Sequence, residues 1–126
     1  MYKKVFAGLL LFGILTTILA ACAIYDEAGT GGPTVHMGNA NFVQTTITIS
    51  KGQSIDVVDD VAVTHILKNG TWNGGTQVLK SEAGAPTVNV TFNGGDSASI
   101  GPFNTAGQFQ ILCTVHPGMN LTVTVQ

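Results

Sequence analysis

From Thr34 onward the chain alternates apolar and polar residues with a period of two, in short runs rich in Val, Ile, Thr and Phe. That period places successive side chains on opposite faces of a strand. The runs are Thr34 to Met37, Phe42 to Ile49, Ser54 to Val58, Ala62 to Leu67, Thr87 to Phe92, Ser97 to Ile100, Gly107 to Leu112 and Leu121 to Val125. Turn residues separate them: Ser50-Lys-Gly-Gln53 reads as a tight hairpin, and Asn69-Gly70, Asn73-Gly-Gly75 and Asn93-Gly-Gly95 read as turns. No stretch shows a helical period of comparable quality. The pattern predicts an all-β domain of about eight strands, a two-sheet antiparallel β-sandwich. Gly70 to Pro86 is the least regular segment and is expected to hold a short helix or an excursion at one edge.

The pattern before Thr34 is different. Lys3 and Lys4 precede an apolar run from Val5 to Ala21, which is the layout of an export signal. Leu19, Ala20 and Ala21 stand directly before Cys22, and this ending resembles the bacterial lipobox, whose cysteine is acylated and becomes the new N-terminus. The expected organisation is a lipoprotein signal peptide over 1–21, a lipidated Cys22 with a flexible tether over 22–33, and one domain over 34–126. The resemblance implies a bacterial, extracytoplasmic protein held at the periplasmic or outer face of a membrane by lipid alone.

Removal of residues 1–21 leaves 105, enough for one domain with a real core. It also leaves three lysines (Lys51, Lys68, Lys80) facing seven acids, a formal charge of −4, and the chain has no arginine. That balance argues against nucleic acid, which calls for a basic face. With Cys22 acylated, Cys113 is a single thiol in an oxidising compartment, where a metal would both protect and use it.

The chemistry concentrates near the C-terminus. In Cys113-Thr-Val-His116-Pro-Gly-Met119 a thiol, an imidazole and a thioether fall within seven residues between two strands. Thiolate favours Cu(I), imidazole suits both copper oxidation states, and a weak axial thioether completes the trigonal arrangement of a type 1 site. A second imidazole must come from another strand. His65, in Asp59-Asp-Val-Ala-Val-Thr-His65, is favoured by order and spacing over His36, which is read with Met37 as a structural or rim residue. Pro117 and Gly118 supply the rigid and the permissive residue for a tight loop.

These motifs carry a resemblance: from about Phe42 to Gln126 the chain is similar to the cupredoxins, the blue copper proteins of the plastocyanin and azurin group. Cys113-x2-His116-x2-Met119 resembles the short ligand loop of amicyanin-like and pseudoazurin-like members, Pro102-Phe-Asn-Thr-Ala-Gly-Gln-Phe109 resembles the approach to the cysteine, and Gly52 stands thirteen residues before His65 as the resemblance implies. The implied fold is a Greek-key sandwich. The implied function is single-electron transfer through one type 1 copper ion held by His65, Cys113, His116 and Met119, with His116 emerging through an apolar patch where redox proteins dock transiently. Pro117, Pro33 or Met37 could contribute to that patch. The chain departs from the family in placing Ile66 where many members have an Asn that ties the two ligand loops together, so that tie is expected from elsewhere, with Thr114 or Thr64 as candidates.

Rival readings lack their residues. Multicopper oxidases need His-x-His pairs and binuclear copper centres need two loop cysteines, and neither is present, so an enzyme is not expected. Copper storage or delivery is the serious alternative, since the same donors could hand the ion on; the apolar Ile111-Leu112 before Cys113 favours a closed, permanent site in a monomeric protein. Asp59 and Asp60 are read as turn residues that point apart, and Trp72 as a partly buried residue of the irregular segment.

Overall fold

The computed structural model describes residues 32–126. The predicted signal peptide, Cys22 and all of the tether except its last two residues lie outside them. Nine strands form: β1 (Thr34–Met37), β2 (Thr46–Ile49), β3 (Ile55–Asp59), β4 (His65–Asn73), β5 (Thr76–Leu79), β6 (Asn89–Phe92), β7 (Ser97–Ile100), β8 (Gly107–Cys113) and β9 (Asn120–Val125). They make a sandwich of a three-stranded sheet, β1-β3-β7, and a six-stranded sheet, β2-β9-β8-β4-β5 with β6 also on β4. No helix of the described residues is long and apolar enough to cross a membrane.

The alternation read from the sequence is the alternation of burial. In β9, Leu121, Val123 and Val125 are buried while Asn120, Thr122 and Thr124 are half-buried. In β3 the inward phase is Ile55, Val57 and then Asp59, so a carboxylate takes a core position. Phe42, Phe92, Phe103 and Phe109 fill the space between the sheets with Met37, Leu67, Ile111 and Leu121. Each such side chain contributes about 1.5–3 kcal/mol of burial free energy.

Three expectations are corrected. Ser50 to Gln53 is not a hairpin: β2 lies in the large sheet, parallel to β9, and β3 in the small one, parallel to β1, so the turn carries the chain between sheets and the sandwich is mixed rather than antiparallel. Gly52, at φ 87°, makes that turn, and its N–H donates to the Phe103 carbonyl at 2.7 Å. Asn69-Gly70 is not a turn either but lies inside β4. His65 to Asn69 pair with β6 and β8, and Gly70 to Asn73 pair with β5. Gly70 is the pivot, at φ 136°, where a Cβ would run into the Val78 carbonyl oxygen and lie 2.9 Å from Leu79 Cα. Finally, the irregular segment holds no helix; β4 and β5 form a hairpin closed by Gly74 and Gly75, the edge excursion with one strand more than the pattern had indicated. This hairpin reaches the start of the ligand loop.

Candidate metal centre

His65 opens β4 and Cys113 closes β8, and the pairing of Leu67 with Cys113 brings these two strand ends together. His116 follows in the loop to β9. Cys113 and His65 are fully buried, and His116 is half-buried. Cys113 Sγ lies 3.7 Å from His65 Nδ1 and 3.5 Å from His116 Nδ1. The two imidazoles stand 4.8 Å apart between centroids at 49°. One ligand atom from each of the three residues lies within 4.8 Å of the others, the one such group among the described residues.

These separations can be tested against an ion. A sulfur about 2.3 Å and a nitrogen about 2.0 Å from a common metal, spread by roughly 110–120°, lie about 3.5–3.7 Å apart, taking zinc bond lengths as a guide. Both Sγ···Nδ1 separations fall there, so each imidazole nitrogen is placed to share an ion with the thiolate. The sulfur and imidazole set selects soft and borderline metals, copper foremost.

The loop is held by its backbone. Cys113 N–H donates to the Met119 carbonyl at 3.0 Å, and Met119 N–H donates to the His116 carbonyl at 3.2 Å. Gly118, at φ 78°, permits the reversal between them. Met119 is buried at the foot of the loop, among the core residues. His36 is elsewhere: its Nδ1 pairs with exposed Asp60 at 2.8 Å, and Met37 is fully buried and so absent from any surface patch.

The tie between the two ligand-bearing segments comes from Thr114. Its N–H donates to the Ile66 carbonyl at 2.8 Å and its Oγ1 to the same oxygen at 3.3 Å, so backbone atoms at position 66 serve where an Asn side chain is missing. The β4–β5 hairpin adds a clasp that sequence reasoning missed. Trp72 Nε1 donates to the Cys113 carbonyl at 2.8 Å, and Gln77 Nε2 donates to the Thr114 carbonyl at 2.7 Å. Asn120 locks Trp72 in place, accepting its backbone N–H at 2.7 Å and donating to its carbonyl at 3.2 Å. Only the β4–β5 hairpin, reached by continuing β4 past Gly70, brings Trp72 and Gln77 to the loop, and no local signal announces it.

On the other side stands Asp59. Its Oδ1 lies 3.8 Å from His65 Nε2, both side chains being fully buried. Asp60 points outward, so the two acids do point apart, and Asp59 both accepts the Val61 N–H of the turn at 3.2 Å and faces the site. Its signal was present in the sequence, in the same phase as Ile55 and Val57. Burial pushes the proton affinity of His65 down; Asp59 opposes this, His116 adds to it, and the Gly38 backbone opposes it.

No protein-family model matches the chain, and no curated protein does. Solved structures do match. Amicyanin from Paracoccus versutus is 18% identical over 75% of this chain and 81% of that one, with a TM-score of 0.57. A purple cupredoxin from Nitrosopumilus maritimus is also 18% identical, over 75% of this chain and all of that one, with a TM-score of 0.57. A reduced single-substitution variant of amicyanin is 16% identical with a TM-score of 0.58, covering 76% of this chain and 83% of the other. The chain has the cupredoxin-like β-sandwich fold.

Proposed function

We propose that this protein is a single-electron carrier in which Cys113 Sγ, the Nδ1 atoms of His65 and His116 and, as the weakest donor, the Met119 thioether would hold one type 1 copper ion. The observation that carries this reading is the thiol placed 3.5 and 3.7 Å from two imidazole nitrogens in a cupredoxin-like sandwich. When bound, copper supplies a one-electron couple between Cu(I) and Cu(II).

The chain's own residues supply what makes such a couple useful. Electron transfer is fast where the donors move little between oxidation states, and here they sit on strand ends and on a loop fixed by hydrogen bonds to Met119, Trp72, Gln77 and Ile66. Burial of Cys113 and His65 excludes water and leaves no wide opening for a substrate, which favours carriage over an enzyme or a delivery protein. His116 is the half-buried member of the set, between exposed Val115 and Pro117, and is the port for the electron. A small apolar contact of this kind suits redox partners that bind briefly and leave.

The same proposal places the domain outside the cytoplasm, monomeric and tethered through acylated Cys22, so that its search for partners runs along a membrane surface. The test is a visible absorption and electron paramagnetic resonance spectrum of the full-length protein after one equivalent of Cu(II). An intense blue band with small parallel hyperfine splitting, lost on reduction and in Cys113→Ser, supports the reading. A colourless complex with an ordinary square-planar Cu(II) signal that survives Cys113→Ser would overturn it in favour of storage or delivery.

A further inference from the structure

Asp59 is a carboxylate in a core position. It ends β3 in the phase of Ile55 and Val57, and its side chain, like that of His65, is fully buried. Burying a carboxylate costs several kcal/mol unless hydrogen bonds and an opposite charge offset it. The hydrogen-bonding offset is partial: Oδ1 accepts the Val61 N–H at 3.2 Å, while Oδ2 has no partner. The other buried polar atom without a partner in this part of the molecule is His65 Nε2, 3.8 Å from Oδ1. Two unsatisfied groups of complementary character therefore face each other in the core.

The orientation of the ring gives this meaning. His65 turns Nδ1 toward Cys113 Sγ and Nε2 toward Asp59. An imidazole that offers its Nδ1 lone pair to a metal carries its proton on Nε2, and that N–H needs an acceptor. A carboxylate behind a ligating histidine fixes the tautomer and the ring orientation and makes the nitrogen a stronger donor. A buried negative charge also favours the more positive of two metal oxidation states, because little solvent screens it.

We propose that Asp59 is a positioning residue for the metal centre: it holds His65 as the Nε2–H tautomer through a carboxylate–imidazole contact and tilts the site toward Cu(II) over Cu(I). The claim about oxidation states rests on the copper reading above; the claim about the tautomer does not. The Gly38 backbone also lies against His65 and is the competing acceptor.

The experiment compares wild type, Asp59→Asn, Asp59→Leu and, as a control, Asp60→Asn, which removes an exposed charge one residue away. Nitrogen-15 NMR of the metal-free full-length protein reads the His65 tautomer, and a potentiometric titration of the copper-loaded protein reads the couple. Wild type and Asp59→Asn, whose amide oxygen still accepts, hold the Nε2–H tautomer, and Asp59→Leu loses its exclusive population. In Asp59→Asn the ratio of Cu(II) to Cu(I) affinity falls about tenfold, within the range for partners of ligating residues, which for one electron is a rise of about 59 mV. Asp60→Asn changes the ratio less than twofold.

An unchanged tautomer in Asp59→Leu would assign the proton to Gly38 and overturn the positioning role. Equal shifts in Asp59→Asn and Asp60→Asn, or none in either, would overturn the electrostatic role. A wild-type protein that took up no copper would refute the proposed function, and the metal-free tautomer would still decide whether Asp59 holds His65.

Discussion

The two sides of the candidate centre are built differently. On the loop side, Cys113 and His116 belong to one seven-residue segment fastened by neutral hydrogen bonds from Met119, Trp72, Gln77 and Thr114. On the β3 side, His65 has no hydrogen bond at Nε2 and faces a buried carboxylate. Neutral bonds of about 1 kcal/mol each add up to rigid geometry without much field. One buried charge adds little rigidity and a strong field. On the proposed copper reading, the loop side would govern whether an ion fits and the β3 side which oxidation state it prefers.

The largest expected effect falls on the loop side. Cys113→Ser removes the only thiol of the cluster and lowers Cu(II) affinity by more than about 100-fold, beyond the range for residues behind the ligands; competition with a chromophoric chelator measures it. Next is Gly70→Ala, which forces φ 136° on a residue with a Cβ and drives that Cβ into the Val78 carbonyl. Backbone strain of this sort costs about 1–3 kcal/mol, and the clash adds to it, so the urea midpoint falls and the hairpin's hold on Cys113 and Thr114 loosens. If Gly70→Ala were as stable as wild type, the pivot would be misassigned. Trp72→Phe is milder: the ring remains, the Nε1–H to the Cys113 carbonyl is lost, and stability falls by about 1 kcal/mol, read by thermal unfolding.

The β3 side is sharpened by pH. Burial, opposed by Asp59, lowers the proton affinity of His65 below that of an ordinary histidine at 6.5. Above pH 6.5 neither the folded nor the unfolded state carries much of this proton. As pH falls below 6.5 the unfolded state takes it up first, so the metal-free protein loses stability toward acid. Asp59→Asn removes an opposing influence, and its loss below pH 6.5 is steeper than in wild type, as denaturant titrations across pH 5–7 would report. The smallest effect is expected from His36→Ala. Its pairing with Asp60 is exposed on both sides (42% and 49%), and such pairs contribute about 0–1 kcal/mol. Copper affinity is unchanged.

The contrast also explains what the sequence made legible. Cys113, His116 and Met119 could be read because a loop brings ligands together locally, with Pro117 and Gly118 marking its turns. The strand runs at Thr34–Met37 and Ser97–Ile100 match the structure residue for residue, because period-two burial is a local property. What failed depended on tertiary context. Gly70 looks like a turn in sequence but acts as a pivot within one strand. Ser50 to Gln53 looks like a hairpin, although which sheet each flanking strand joins is decided by β9 and β1 far along the chain. Trp72 and Gln77 serve the loop only through the β4–β5 hairpin, and Asn120 serves it by bonding Trp72. Asp59 was the missed signal that the chain did contain: its phase with Ile55 and Val57 pointed inward, and the polar side chain argued for a turn.

The central claim is that the three donors hold one copper ion in nearly the same arrangement in both oxidation states. X-ray absorption at the copper edge, on oxidised and reduced samples of the same protein, tests it most directly. The account predicts one short copper–sulfur and two copper–nitrogen distances in both samples, with little change between them. Loss of a nitrogen ligand on reduction, or an oxidised spectrum dominated by oxygen and nitrogen donors without the short sulfur, would contradict it.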